Sequence, residues 1–463
     1  MEYAGWTPPL SGAPHAVDRE PAAEMSPRRL YEKYISKRRP VVLTGGLAGT
    51  PWSRAGDTWT DAFLLAHPES ETRVRVEARA GTDESFGVGK YETMRFRDFV
   101  TRFAKGDDTV YLTASPASVD AQGRPEVASA PASFLMGEDR PARVPFRPEL
   151  AGNLVPANVN LWLGAAGAAQ TPSSGLHHDH HDNLYVLLRG EKRFELYAPD
   201  AVEAMYPTGT ARRVHANGRI DYEETGDYAE DGDDGSLRRR VASIAVRLAE
   251  AEVERAQTAV DAGTPGAKTW LRRAETALDT AMDATMGDDD GDDAFELVGF
   301  DDFDDVGDSD LEASDASDAS ERFCDGDGDG RDGRDGDKTC ETSRETRTAD
   351  GRQTDPPSFS RMSLARTSDL DVDARNGFPL FGAARATRRM ETAVRAGEIL
   401  YLPAGWFHEV RSCNVPGKNH AALNYWFHPP VSGAPFETPY GSAQRQDLWE
   451  RDWAAWEEMR RGT

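Results

Sequence analysis

A chain of 463 residues with 80 acidic and 54 basic side chains has a formal net charge of −26, which argues against gross electrostatic binding to a nucleic-acid backbone. Its 3 cysteines, Cys324, Cys340 and Cys413, build neither a disulfide framework nor a zinc-binding reader module, and they favour a reducing compartment. No apolar run approaches the ~20 residues that cross a bilayer, and Met1 to Trp6 lack a basic segment leading into an apolar one, so a cytoplasmic or nuclear chain without a membrane partner is expected.

Residues 1–27 read as a partly flexible N-terminal segment. Arg39 to Gly45 then holds the apolar run of a buried strand, and short strands are expected over Val110-Tyr111-Leu112 and Asn160-Leu161-Trp162-Leu163-Gly164. The densest polar cluster follows, Leu176-His177-His178-Asp179-His180-His181-Asp182-Asn183. Directly after it, Leu184 to Leu188 reads as a buried strand, Arg189-Gly190-Glu191 as a turn, and Lys192 to Tyr197 alternates as a half-buried strand does. The histidines therefore stand at the entrance of a β-hairpin rather than in a solvated loop. Residues two apart on a strand share a face, so His177 and Asp179 can grip one ion together, although in this segment alone any of the four histidines could serve.

Residues 226–356 read as an insertion. Leu237 to Ala262 carries Val241, Ile244, Leu248, Ala251 and Ala259 at helical spacing, Gly263-Thr264-Pro265-Gly266 breaks it, and Lys268 to Met286 forms a second helix around Trp270, Leu271, Ala274 and Leu278. Between Asp283 and Asp337, 23 acidic residues stand against 3 basic ones. Most of the net charge thus sits in a tract too polar to bury a core, and disorder is expected there. Asp325, Asp327, Asp329 and Gly330 mimic the start of an EF-hand loop, but Gly336 falls where calcium needs a bidentate glutamate, which excludes that site. A tolerated surface extension is the simpler reading of the insertion; partner docking through phosphorylated Ser309, Ser314, Ser317 and Ser320 is the alternative.

Beyond the insertion, residues 357–435 return to strand patterning: Ile399 to Leu402 is a strand, Pro403 to Gly405 a turn, His408 opens the next strand and Asn424 to Phe427 forms another. Within the C-terminal segment 436–463, Trp449, Trp453 and Trp456 fall on one helical face. Packing against the body of the protein is the simpler use of that face.

The spacing from Gly397 through Pro403 and Gly405 to His408 is similar to the second motif of cupin barrels, double-sheet β folds of the jelly-roll type whose motif histidine is a metal ligand. Many metal cupins pair it with H-x-H followed by a glutamate. His178 and His180 have that form, but Leu184 stands where the glutamate would be, so His177 with Asp179 is the better pair. Taken in order, the opening strand from Arg39, Asn160 to Gly164, Leu176 to Asp179, Asp182 to Val186, Gly190 to Phe194, Val394 to Pro403 and Asn424 to Phe427 resemble the JmjC family of Fe(II)- and 2-oxoglutarate-dependent oxygenases. The small JmjC peptidyl (lysyl) hydroxylases are the most similar subgroup.

That resemblance implies a mainly-β protein: a double-stranded β-helix (cupin/jelly-roll) barrel in two parts, 28–225 and 357–435, with flanking helices. It implies His177, Asp179 and His408 as iron ligands, a set that leaves three coordination positions open. Lys192 would hold the distal carboxylate of 2-oxoglutarate as a compact cationic donor. Ser174, or Thr171 in its place, and Tyr111 would meet the same co-substrate, Asn183 and Asn424 would line the site, and His178, His180 and His181 would stand on the rim or the substrate side. The implied reaction consumes O2 and 2-oxoglutarate, releases succinate and CO2, and hydroxylates a protein side chain, lysine first, with GTP-binding proteins as the implied partner class. Related hydroxylases also suggest a homodimer through the C-terminal helix. N-methyl-lysine demethylation and tRNA-base hydroxylation are the enzymatic alternatives, weakened by the missing reader module and the missing basic stripe. A cupin-fold binding protein is the third reading, and the complete set His177, Asp179, His408 and Lys192 weighs against it.

Overall fold

The computed structural model describes residues 3–78, 91–113, 126–165, 173–223, 249, 252–253, 255–286, 346–347, 353–354, 356–362, 377–413, 419–441 and 443–462. The chain separates into two compact units, one of Met1–Leu237 with Glu341–Thr463 and one of Arg238–Cys340.

In the first unit the strands run β1 (His15–Ala16), β2 (Asp18–Pro21), β3 (Val41–Thr44), β4 (Arg73–Ala78), β5 (Tyr91–Arg95), β6 (Val110–Leu112), β7 (Pro156–Gly164), β8 (Asp182–Arg189), β9 (Glu191–Tyr197), β10 (Ala211–Val214) and β11 (Ile220–Tyr222). After the second unit come β12 (Thr346–Arg347), β13 (Gln353–Thr354), β14 (Met390–Arg395), β15 (Ile399–Leu402), β16 (Phe407–Ser412) and β17 (His420–Phe427). A large sheet has the order β2-β3-β15-β8-β17-β7-β6-β4-β5, and a small one the order β1-β14-β9-β16. Strands alternate between them except where β9 and β14, before and after the insertion, both lie in the small one: β8 large, β9 small, β14 small, β15 large, β16 small, β17 large. This alternation is the double-stranded β-helix expected from the motifs. Among the described residues no ladder joins the two sheets, so they face each other as a sandwich rather than closing into a hydrogen-bonded barrel.

Side-chain alternation explains the sandwich. Tyr185 and Leu187 of β8, Leu400 and Leu402 of β15 and Ala422 of β17 point from the large sheet onto Phe194 and Leu196 of β9 and Met390 and Val394 of β14. Strand β8 is buried almost throughout, because β15 and β17 flank it and helices cover its outer face. One such helix, Pro51–Thr58, docks through Trp52, whose indole donates to the Tyr425 hydroxyl at 2.8 Å. A further helix, Phe96–Ala104, packs against β4, β5 and β6 and buries Phe96, Phe99, Val100 and Phe103 along one side. The C-terminal helix Ala443–Gly462 buries Trp449, Trp453 and Trp456. Trp449 stacks on His428 with ring centroids 3.9 Å apart, and Trp456 meets Phe146 at 4.9 Å, so the tryptophan face packs on this chain's own body.

The second unit is helical where described. Residues 255–261 and the helix Ala267–Met286 flank Gly263 to Gly266, with Ala256, Ala267 and Ala274 buried and the Trp270 indole donating to Glu252 at 2.6 Å. The segment from Leu237 to Leu248, the acidic tract from Gly287 to Asp337 and its serines lie outside the described residues. No helix among the described residues is long and apolar enough to cross a membrane.

Candidate metal centre

Two backbone segments bring the three expected ligands together. His177 and His408 are antiparallel bridge partners: the His177 amide donates to the His408 carbonyl at 3.1 Å, and the reverse bond is 2.7 Å. The Gly405 amide donates to the Asp179 carbonyl at 2.8 Å, which fixes the turn before His408 against the loop carrying Asp179. Gly405 has φ +76°, and a Cβ there would overlap the Gly218 carbonyl, so only glycine lets this turn approach the Gly218 backbone so closely.

One donor atom from each of His177, Asp179 and His408 lies within 4.8 Å of the others. The imidazole centroids are 4.3 Å apart, and His408 Nε2 stands 3.8 Å from Asp179 Oδ2. Both rings are oriented from behind. His177 Nδ1 lies 3.0 Å from the Gly175 carbonyl, and His408 Nδ1 lies 2.9 Å from the Trp406 carbonyl. A carbonyl only accepts, so each Nδ1 carries the proton and each Nε2 lone pair is free for a metal. Burial, reinforced by the neighbouring His408, pushes the His177 imidazole down to about 4, which keeps it in the neutral form that ligates. Phe359, from the segment just after the insertion, stacks on His177 with centroids 4.7 Å apart and fixes its plane.

Lys192 enters from β9, the neighbour of β16 in the same small sheet. It is 3% exposed, its ammonium donates to Ser412 Oγ at 2.6 Å and to the Tyr111 hydroxyl at 3.3 Å, and among the described residues no carboxylate pairs with it. Burial pushes its pKa down to about 7. A buried ammonium without an anion is an unfinished arrangement, and a small carboxylate would complete it. Tyr111, raised by burial, packs its ring 5.9 Å from Trp162. Trp162 in turn donates to Asn424 Oδ1 at 2.9 Å. Asn183 is buried, and its Oδ1 has no hydrogen-bond partner among the described residues. The Ser174 hydroxyl is engaged locally, donating to the Gly175 carbonyl at 3.0 Å and accepting from the Val410 amide at 3.0 Å. Thr171 lies outside the described residues.

The other histidines are not a common rim. His178 is fully buried and hydrogen-bonded to the Tyr222 hydroxyl at 2.7 Å, because its side chain points opposite to those of His177 and Asp179, into the apolar cluster around Met205 and Phe407. His180 is half-buried, and His181 stacks on Trp426 at 5.8 Å. The motifs also pass over the group that locks the two ligand segments together. Asp182 takes a bidentate ion pair from Arg38, both fully buried, accepts from the Tyr401 hydroxyl at 2.8 Å and accepts from the Ala404 amide at 3.0 Å. The Arg38 carbonyl accepts from the Trp406 indole at 3.1 Å. Asp182 lies three residues beyond a proposed ligand; Arg38 is 144 residues away, a separation no local pattern reveals.

The family described as the cupin-like domain matches residues 27–433. The chain is 27% identical over 459 residues to JmjC domain-containing protein 4 of Schizosaccharomyces pombe, spanning 90% of this chain and 85% of that one. Two further likenesses are local. The human bifunctional peptidase and (3S)-lysyl hydroxylase JMJD7 shares 41% identity over 61 residues, 13% of this chain and 18% of that one. The lysine-specific demethylase JMJ32 of Arabidopsis thaliana shares 33% over 69 residues, 15% and 19%. A match across most of the sequence, with relatives that carry the JmjC name, means that this chain belongs to the cupin-like domain family, among its JmjC oxygenases.

Proposed function

We propose that this protein hydroxylates a lysine side chain of a protein substrate, using iron(II), O2 and 2-oxoglutarate. The observation that carries the reading is the combination of a two-histidine, one-aspartate face with a buried lysine that has no carboxylate partner among the described residues. Iron with 2-oxoglutarate would supply the oxidising chemistry, placing one oxygen atom of O2 on the substrate while the co-substrate becomes succinate and CO2. His177, Asp179 and His408 would hold the metal on one side and leave the other open. Lys192, with the Tyr111 and Ser412 hydroxyls, would hold the far carboxylate, and the Asn183 Oδ1, unpartnered among the described residues, would accept from a donor of the bound ligands. The relative named as a (3S)-lysyl hydroxylase supports lysine as the target. GTP-binding proteins, the partner class implied by the sequence resemblance, are the first substrates to screen. The relative named as a lysine-specific demethylase favours a second reading, in which the same site oxidises an N-methyl group and formaldehyde leaves.

Metal-free protein titrated with Fe(II) and 2-oxoglutarate under nitrogen should develop the weak visible charge-transfer band of the chelate, and His177→Ala and Lys192→Ala should each weaken or lose it. A folded wild type with no band overturns the oxygenase reading. With the band in hand, mass spectrometry of lysine peptides separates the two chemistries: retained oxygen means hydroxylation, loss of a methyl with formaldehyde means demethylation.

A further inference from the structure

His420, at the start of β17, is 2% exposed; among the described residues neither of its ring nitrogens makes a well-formed hydrogen bond, and the Cys413 backbone offers it only a weak one. A neutral imidazole always carries one N–H donor, and a buried donor without an acceptor is rare in a folded protein. The surroundings are shaped to hold this ring. In the large sheet Tyr111, Gly164 and His420 are direct neighbours on three adjacent strands, so they share one face. Gly164 leaves that face open: a Cβ there would overlap the Tyr111 ring. On the other flank a Cβ at Gly190, where φ is +91°, would overlap His420 Nδ1. Two residues beyond Gly190 stands Lys192, paired across the small sheet with Ser412 and bonded to the Tyr111 hydroxyl. The Lys192 ammonium is near enough to reinforce burial in holding the His420 imidazole down at about 3, with the Cys413 backbone opposing.

Two glycines thus make room for two rings beside a lysine that has no carboxylate partner among the described residues, and the under-satisfied imidazole donor sits among them. We propose that His420 is a further binding residue for the far carboxylate of 2-oxoglutarate, donating its ring N–H to that group alongside Lys192. The proposal rests on the oxygenase reading and adds to it a residue that a positional carry-over of the metal and lysine motifs does not reach. A carboxylate offers about four lone-pair sites, enough for the ammonium, a hydroxyl and an imidazole N–H at once.

The test is calorimetric binding to Mn(II)-loaded wild type, His420→Leu and His420→Asn, with 2-oxoglutarate and with 2-oxobutyrate, which keeps the keto-acid head and lacks the far carboxylate. His420→Leu should weaken 2-oxoglutarate roughly tenfold or more, the worth of one hydrogen bond to a charged group, and leave 2-oxobutyrate unchanged. His420→Asn, which retains an N–H donor, should recover part of the loss and guards against a folding defect in the leucine variant. Equal weakening of both ligands in both variants, or no weakening in either, overturns the role of His420 while the oxygenase reading stands. Failure of wild type to bind 2-oxoglutarate overturns both.

Discussion

Replacing Lys192 by methionine should make the metal-free protein more stable and at the same time destroy its use for 2-oxoglutarate. Burial holds the ammonium at about 7, against an ordinary value of 10.5. Each unit of such a shift is worth about 1.4 kcal/mol, so keeping the charge inside the fold at pH 6 costs about 5 kcal/mol. Methionine has a similar reach and no charge, and it forfeits the bonds to Ser412 and Tyr111, which return about 1–2 kcal/mol of the gain. The net expectation at pH 6 is a variant more stable by about 3–4 kcal/mol. The sign of the pH dependence is fixed by which state holds the proton. Between about pH 7 and 10.5 the unfolded lysine is protonated and the folded one is not, so wild-type stability rises with pH there, while below about 7 both states are charged and the full cost persists. Wild type should therefore gain roughly 2 kcal/mol on the variant between pH 6 and pH 8.5. Urea unfolding of the two metal-free proteins at both pH values measures this, and calorimetry of 2-oxoglutarate binding should show a loss of at least about tenfold in the variant. A stability gap that does not change with pH, or a variant less stable than wild type at pH 6, would refute the claim that Lys192 is a buried cation awaiting an anion.

Asp179→Ala and His408→Ala should leave folding intact and remove Fe(II) binding, read by equilibrium dialysis; unchanged iron retention would exclude the triad. Asp182→Asn leaves Arg38 buried with its ion pair broken, and a loss of about 3–5 kcal/mol in denaturant unfolding is expected, with a change under 1 kcal/mol counting against the lock. Phe359→Ala removes the ring that backs His177, so Fe(II) affinity should drop about tenfold with little change in unfolding midpoint; the reverse pattern would make Phe359 a packing residue only.

Much of the site is legible in one dimension because strands have a period of two. His177 and Asp179 fall on one face while His178 turns away, so alternation makes the pair possible, and Leu184 in place of a glutamate is what sets it above His178 with His180. The same rule, carried four residues past His408, lands on Ser412, and carried four residues before Asn424 it lands on His420; both are inward positions that carry no motif. Their significance depends on which strand lies opposite. Ser412 matters because β16 pairs with β9 at Lys192, and His420 because Gly164 and Tyr111 continue its row.

The chain by itself determined the strand pattern, the spacing from Gly397 to His408, the glycine breaks of the helical insertion and the residues able to hold a metal and an acid. These are local properties, set by side-chain period, turn geometry and donor chemistry within a few residues. Only the tertiary structure decided that Arg38 closes on Asp182, that Phe359 backs His177, that the Trp449 face packs on its own body, and that Lys192 has no carboxylate to answer it among the described residues. Those are relations between segments from 21 to 182 residues apart or more, and a charge or a ring acquires its energy from what is folded against it, not from its neighbours along the chain.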